Sequence, residues 1–166
     1  MSTNNLYHKE AKEKIKALAE AIDFTMMATN LGHKPFSAIP MSTKKVDQNG
    51  TIWFLSGKDS QHNKDILKDH NIQLMYSKPS TMSFMILYGE AKITKDHAIL
   101  KELYGKSDDL WFEGIEDPNL TAIQFEPKEA HYWEPKHNKL VTLFKMGVGA
   151  LTGKQAEIGE EGQLTI

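Results

Sequence analysis

The feature that most constrains the fold is a short stretch at residues 51–56 whose apolar side chains alternate onto both faces. Formed as a strand, the stretch carries Ile52 and Phe54 on one side and Trp53 and Leu55 on the other. The preceding Asn49-Gly50 pair favours a tight hairpin turn between a strand at Phe36–Thr43 and this stretch, because both residues tolerate positive φ. A strand that is apolar on both faces has to be covered twice. The stretch therefore predicts a closed barrel or a strand at a dimer interface.

Helices are expected in three other places. Residues 6–23 predict an amphipathic helix, since apolar side chains recur there at intervals of three and four: Tyr7, Ala11, Ile15, Leu18 and Ile22. A second helix should start after Asp59-Ser60, either of which can cap it, and run to about His70 with Ile66 and Leu67 facing inward. A third should run from Asp96 through Tyr104.

Between the helices the chain is rich in strand patterns. The expected strands are Phe24–Leu31, Phe36–Thr43, Thr51–Ser56, Ile72–Ser77, Met82–Thr94, Leu120–Phe125 and Ala130–Glu134, with a bulge at Gly89 and a final strand or helix over Lys139–Leu151. Short strands separated by turns, with a few helices between them, indicate an antiparallel β-barrel with helices at its ends and edge. We predict one α+β domain over residues 1–154 and a flexible C-terminal tail over residues 155–166.

Composition limits the partners and the location of the protein. The 166 residues hold 20 basic and 22 acidic side chains, all twenty basic ones being lysine, for a net charge of −2. A near-neutral chain without arginine does not suit nucleic-acid binding, and a phosphate site has to use lysine, histidine, hydroxyls and backbone N–H groups. The chain has no cysteine. No secretory leader or membrane-spanning run is evident, so we expect a cytoplasmic protein with no membrane partner.

Common catalytic and metal signatures are missing from the sequence. It contains no complete P-loop, no G-x-S-x-G elbow, no H-E-x-x-H pair and no G-x-G-x-x-G turn. We therefore predict no metal site and assign no catalytic residue.

One local constellation has the groups that a phosphorylated aromatic cofactor requires. The start of the predicted second helix would offer free N–H groups and the positive end of the helix dipole. Around it the sequence supplies hydroxyls at Ser56 and Ser60, cations at His62, Lys64 and Lys44 or Lys45, and an apolar wall at Met41, Trp53 and Phe54. The competing interpretation is a capped helix after a strand, with its lysines in solvent.

A series of short motifs, in order along the chain, resembles a known family. The series is Gly50–Ser56, Asp59-Ser60, Tyr88–Ala91, Leu110–Gly114 with Asp117-Pro118, Ala130–Trp133 and Ala150–Lys154. It is similar to the general stress protein 26 family, a branch of the pyridoxamine 5′-phosphate oxidase-like FMN-binding split barrels. The resemblance runs from about Ala11 to Lys154. It implies a six-stranded antiparallel split β-barrel with peripheral helices, and a homodimer with FMN at the subunit interface.

The same resemblance assigns roles to residues of the constellation. It places the strand around Ile39, Met41 and Lys44 along the flavin ring. Leu55 and Ser56 would approach the ribityl chain and phosphate. The segment Ser60–Lys64 would hold the phosphate, and Trp133, then Trp111, would close the ring pocket from the partner subunit.

Two positions depart from the family's pattern. The family has arginine where Ile39 stands, before Pro40-Met41, and lysine where His62 stands, so permanent positive charge is lost at the phosphate. Lys44, Lys45 or Lys64 would have to compensate. Because a nearby dianion raises the pKa of histidine, we predict FMN affinity that is stronger when His62 is protonated.

The leading interpretation is an FMN-binding flavoprotein acting as a flavin-dependent oxidoreductase on an unassigned substrate. True pyridoxamine 5′-phosphate oxidase activity is not expected. The resemblance implies that this enzyme needs an Arg-x-His near its C-terminus for the substrate phosphate, and the corresponding residues 136–143 contain none. Two alternatives remain open. One is a non-enzymatic carrier of FMN or another planar cofactor such as haem or a deazaflavin, and the other is a cofactor-free dimer with a vestigial site.

Overall fold

The structure, a computed structural model, describes residues 1–136 and 159–166. Within them the helices are α1 (His8–Ile22), α2 (Gln61–Lys68) and α3 (His97–Leu103), followed by a 3₁₀ helix at Lys106–Leu110. The strands are β1 (Ser2–Thr3), β2 (Leu6–Tyr7), β3 (Phe24–Thr29), β4 (Ser37–Ser42), β5 (Lys45–Val46), β6 (Ile52–Gly57), β7 (Asn71–Lys78), β8 (Ser83–Thr94), β9 (Leu120–Pro135) and β10 (Gly159–Thr165). This confirms the predicted α+β class.

All ten of these strands belong to one sheet, which does not close. Its main order is β1-β10-β9-β8-β7-β3-β4, and β6 pairs with the other half of β9 and with β5. The pairs are antiparallel except where β10 meets β1 and β2, which run parallel to it. Strand β4 thus forms one edge of the sheet. The chain has the architecture of a split barrel with peripheral helices, built here from more strands than the predicted six.

The core follows a row of side chains across the sheet. Directly paired residues on one face are Ile39, Met27, Leu74, Leu87, Ala130 and Leu164, contributed by β4, β3, β7, β8, β9 and β10 in turn. All but Ile39 are buried, and Ile39 packs against the same cluster. Helix α1 covers this face with the predicted Ala11, Ile15, Leu18 and Ile22. Tyr7 departs from that prediction, because it precedes the helix in β2 and is 54% exposed.

The two apolar faces of β6 are both covered, although not by barrel closure. Ile52 and Phe54 are fully buried in the main core. Trp53 and Leu55 pack instead against a second cluster made by Leu100 and Leu103 of α3 with Leu120 and Ala122 of β9. A helix therefore provides the cover that the sequence led us to expect from a closed barrel or a partner.

Several local predictions are confirmed and three are wrong. Ser60 and Asp96 cap α2 and α3, and the register of β8 against β9 shifts between Tyr88 and Gly89. The hairpin at Asn49-Gly50 joins β5 to β6, whereas β4 pairs with β3. Leu67 is 67% exposed rather than inward-facing. The two strands expected between Leu120 and Glu134 are the single strand β9.

The predicted flexible tail is wrong where the structure describes it. Residues 159–165 form β10, which lies between β9 and the two N-terminal strands. Gly162 allows β10 to lie this close to the N-terminal segment, because a Cβ there would lie 1.9 Å from the backbone oxygen of Asn4. The expected element over 139–151 and the first part of the tail lie outside the described residues. In the described part of the chain, no helix combines the length and apolar character needed to cross a bilayer.

Candidate functional site

A cavity of about 320 Å³ lies between the edge strand β4, the end of β6, the start of α2 and the loop after α3. Its walls are formed by Ile39, Pro40, Met41, Ser42, Lys44, Leu55, Ser56, Gly57, His62, Asp108, Trp111 and Phe112. Seven of the eleven predicted cofactor residues are among them: Ile39, Met41, Lys44, Leu55, Ser56, His62 and Trp111. The structure thus brings together, in one place, most of a set that was drawn from five separate segments.

The other four predicted residues do not line this cavity. Phe54 is fully buried in the main core behind it. Ser60 lies next to the cavity, with its Oγ 3.1 Å from Nε2 of His62. Lys64 is exposed on α2. Trp133 stands on β9, where its ring packs at 4.4 Å from that of His131, several strands away from β4.

Helix α2 starts at the cavity with a well-defined cap. The Oγ of Ser60 accepts a hydrogen bond from the backbone N–H of Asn63 at 3.2 Å. The backbone N–H groups of Gln61 and His62 belong to the first turn, which has no intrahelical acceptors. Since the helix dipole adds positive potential at the same end, the start of α2 is suited to an anionic group.

Buried hydroxyl and amide groups fix the orientation of His62. Thr121 donates its hydroxyl hydrogen to the backbone oxygen of Ser56 at 2.7 Å and accepts one from the Asn63 amide at 3.0 Å. The Asn63 oxygen accepts the hydroxyl hydrogen of Ser56 at 2.8 Å. Ser56 Oγ lies 2.6 Å from Nε2 of His62. Because Ser56 has given its only hydrogen to Asn63, the hydrogen of this last bond has to come from Nε2 of His62.

Burial lowers the pKa of His62 below its ordinary value of 6.5, and the nearby carboxylate of Asp65 partly opposes this effect. Asp65 is itself buried and accepts hydrogen bonds from Thr29 and Gln61. In the ligand-free protein at neutral pH, His62 is therefore an uncharged imidazole carrying its proton on Nε2.

Lys44 forms an ion pair with Asp108, a residue that was not predicted from the sequence to belong to the site. Its ammonium lies 2.9 Å and 2.7 Å from the two carboxylate oxygens of Asp108, and both side chains are largely buried, at 18% and 12% exposed. Asp108 also accepts a hydrogen bond from the backbone N–H of Gly105 at 2.8 Å. An acid three residues after Gly105 is a typical helix-capping spacing, but nothing local indicates its partner on β4.

The loop that carries Asp108 also forms one rim of the cavity. Trp111 is 81% exposed and Phe112 is half-buried against the second apolar cluster. An exposed tryptophan beside a cavity offers a flat apolar surface to a ring-shaped ligand or to a second protein. Both residues line the cavity, although of the two only Trp111 was predicted from the sequence as a site residue.

The residues present fit a flavin on the chemistry of their donors and acceptors. Strand β4 is a sheet edge, so its outward backbone N–H and C=O groups can pair with the hydrogen-bonding edge of a flavin ring. Met41, Leu55 and Phe112 are apolar neighbours for the ring itself. The start of α2, with Ser60, can accept the phosphate.

Solved structures share this architecture. The chain is similar to a general stress protein 26 from Jannaschia sp. CCS1, with a TM-score of 0.79 and 20% identity over 96% of this chain and 99% of that one. It is also similar to the general stress FMN/FAD binding protein from Xanthomonas citri, with a TM-score of 0.65 and 23% identity over 76% and 89% of the two chains. Identities this low show the fold alone, and that fold is the split barrel.

Sequence comparison identifies the family. The protein bli-3 of Neurospora crassa is 22% identical over 148 residues, which is 82% of this chain and 71% of that protein. The fold and the cavity beside its edge strand define a split-barrel protein of the pyridoxamine 5′-phosphate oxidase type. Residues 10–157 match the family model described as "Pyridoxamine 5'-phosphate oxidase like", and the chain belongs to this family. The family resemblance seen in the sequence is confirmed.

Proposed function

We propose that the cavity binds a flavin, FMN in the first instance, and that the protein works as a flavoprotein. One observation carries the proposal: the cavity joins the free edge of β4 to the N-terminus of α2, which gives one site for a flat hydrogen-bonding ring and one for an anion. Membership of the family and the likeness to a protein described as FMN/FAD binding support it.

The side chains would divide the work of binding along the cavity. Residues 39–44 would lie along the ring and contact it largely through the backbone. Leu55 and Ser56 would approach the ribityl chain, and Ser60 and His62 with the first N–H groups of α2 would hold the phosphate. When bound, the flavin supplies redox chemistry, while this chain positions the ring and shields it from water.

We further propose that the protein is a homodimer in which a second copy completes the site. The sheet has an outer face of paired residues opposite the core row: Pro40, Met26, Met75, Ile86, His131 and Gln163. Met26 is 41% exposed, and Phe24 on the same side of β3 is 60% exposed. Such an apolar sheet surface favours association. Trp133 lies on this side of β9, so it could reach the cavity only from the partner subunit.

The dimer is tested by sedimentation of the purified protein and of Met26→Glu. The wild type should sediment as a dimer, and the variant should shift toward monomer, because a carboxylate in the centre of an apolar interface loses its hydration. Ala17→Glu, which adds the same charge at an exposed position of α1 on the opposite side of the sheet, is the control. A wild type that is monomeric at all concentrations would refute this part of the proposal.

The flavin proposal is tested by absorption and by titration. The purified protein should carry a flavin spectrum, or should quench the fluorescence of added FMN to saturation at one flavin per chain. Protein that takes up no flavin would support the vestigial site, and a haem spectrum would support the carrier of another planar cofactor. Bleaching of bound flavin by NADH or NADPH without oxygen, followed by reoxidation in air, separates the oxidoreductase from a flavin carrier.

FMN binding should also depend on pH. A bound phosphate dianion would raise the pKa of His62, which burial lowers in the free protein. Binding then takes up a proton, and affinity should increase as the pH falls from 8 to 6.5. Equal affinities at the two pH values would contradict this prediction. A cytoplasmic location remains a prediction from the sequence.

A further inference from the structure

We propose that this pocket binds flavin mainly through the ring and ribityl chain, so that riboflavin is a ligand comparable with FMN. The inference rests on the proposed function and specifies its ligand class. It rests on which hydrogen-bond donors and cations remain available to a phosphate, given the hydrogen bonds and ion pairs already formed within the site.

The one lysine among the cavity-lining residues does not provide a free charge. Lys44 faces both oxygens of Asp108 in a pair that is largely shielded from solvent. The pair adds no net positive charge to the cavity. Withdrawing Lys44 toward a phosphate would leave the carboxylate of Asp108 poorly compensated in a low-dielectric setting. The existing pair therefore competes with any phosphate for the ammonium group.

The side-chain donors nearest to the start of α2 are also engaged. Ser56 gives its hydrogen to Asn63, and His62 gives its Nε2 hydrogen to Ser56. Neutral His62 carries no hydrogen on its other nitrogen, so its side chain has no further hydrogen bond to donate to a phosphate oxygen. What remains is the hydroxyl of Ser60 and the backbone N–H groups of Gln61 and His62. These are neutral donors, and each is weaker toward an anion than a charged one.

Among residues 1–136 and 159–166, the lysines next in sequence to the cavity's segments do not change this balance. Lys45 forms an ion pair with Glu102, and Lys64 and Lys58 are exposed side chains that do not line the cavity. Asp65, beside His62, is negative and engaged with Thr29 and Gln61. The phosphate end thus offers neutral donors and the helix dipole, but no unpaired lysine among the described residues that line the cavity, a setting that suits an uncharged ribityl terminus as well as a phosphorylated one.

The test is a pair of binding titrations at pH 8, with FMN and with riboflavin, followed by the change in flavin fluorescence. We expect dissociation constants within about tenfold of each other, because a single charge-assisted hydrogen bond to phosphate would contribute about that factor or more. FMN binding that is stronger by more than this factor would overturn the inference and leave the flavin proposal intact. Binding of neither flavin would overturn both.

A variant pair tests the physical reason. His62→Lys places a permanent cation at the start of α2 and should strengthen FMN binding by about fivefold or more while leaving riboflavin binding within about twofold. Lys68→Gln, at the exposed far end of the same helix, should leave the ratio of the two affinities unchanged. If His62→Lys leaves the ratio unchanged while its unfolding curve matches the wild type, the phosphate is not near α2 and the inference is wrong.

Discussion

The ammonium of Lys44 contacts both carboxylate oxygens of Asp108, which lies 64 residues further along the chain. Through this pair the end of β4 is joined to the loop that carries Trp111. Asp108 also accepts from the backbone of Gly105, so one carboxylate both shapes the loop and anchors it to the sheet. The rim of the candidate site is therefore fixed by a long-range ion pair.

Asp108→Asn should destabilise the protein by about 1–3 kcal/mol, because the neutral amide leaves Lys44 without a charged partner in a mostly buried place. The free energy of unfolding from urea titration measures the effect. Glu102→Gln is the matched control, since the Lys45–Glu102 pair is more exposed, and its loss should cost less than about 1 kcal/mol. Equal losses for the two variants would show that burial does not strengthen the Lys44 pair.

The low pKa of His62 should appear in the pH dependence of stability. Above pH 6.5 the imidazole is neutral in both the folded and unfolded chains and contributes no slope. As the pH falls through 6.5, the unfolded chain binds the proton more readily than the folded one, so the free energy of unfolding decreases until the folded-state pKa is reached. The free energy of unfolding of His62→Gln should therefore decrease less than that of the wild type between pH 7.5 and 5.5. If the two proteins lose stability in parallel as the pH falls, the pKa of His62 is not lowered by folding.

Asn63→Ala should lower the free energy of unfolding by about 2–3 kcal/mol, because it leaves the buried hydroxyls of Ser56 and Thr121 without their shared hydrogen-bond partner. Urea unfolding measures this loss. The same substitution at the exposed Asn119, whose side chain accepts one bond from Asp59, should cost less than half as much. A small effect at Asn63 would mean that water replaces the amide.

Gly89→Ala should destabilise the protein by about 3 kcal/mol or more, since the added Cβ would lie 2.2 Å from the backbone oxygen of Glu126 and 2.9 Å from Phe125. The neighbouring strand cannot move away without breaking its ladder. Gly32→Ala, where a Cβ would meet nothing within 4 Å, is the control. The comparison uses the midpoint of urea unfolding, and similar midpoints for both variants would refute the predicted clash.

Elements with a local signal could be predicted from the sequence. The apolar spacing of α1, the capping residues Ser60 and Asp96 and the Asn-Gly turn each act over a few residues, and each lies where it was expected. Most of the candidate site could be predicted as well, because β4, β6 and α2 follow one another within residues 37–68.

The features that the sequence did not predict depend on contacts between residues that are far apart in the chain. Strand β9 continues through Pro127 where two strands were expected, because Pro127 lies opposite Gly89 at the bulge, where a missing N–H is tolerated. The glycines and glutamates of β10 have low strand propensity, and pairing on both sides makes the segment a strand despite them. No local pattern could join Asp108 to Lys44. Tertiary contacts decide these three features.

The parallel pairing of β1 with β10 also sets an order on synthesis. Within the described part of the chain, Ser2 and Thr3 pair with Glu160 and Glu161. A growing chain on the ribosome can assemble its central hairpins early, but its N-terminal residues must wait until nearly the whole sequence has emerged. During that interval the edge of β9 that β10 later covers remains unpaired.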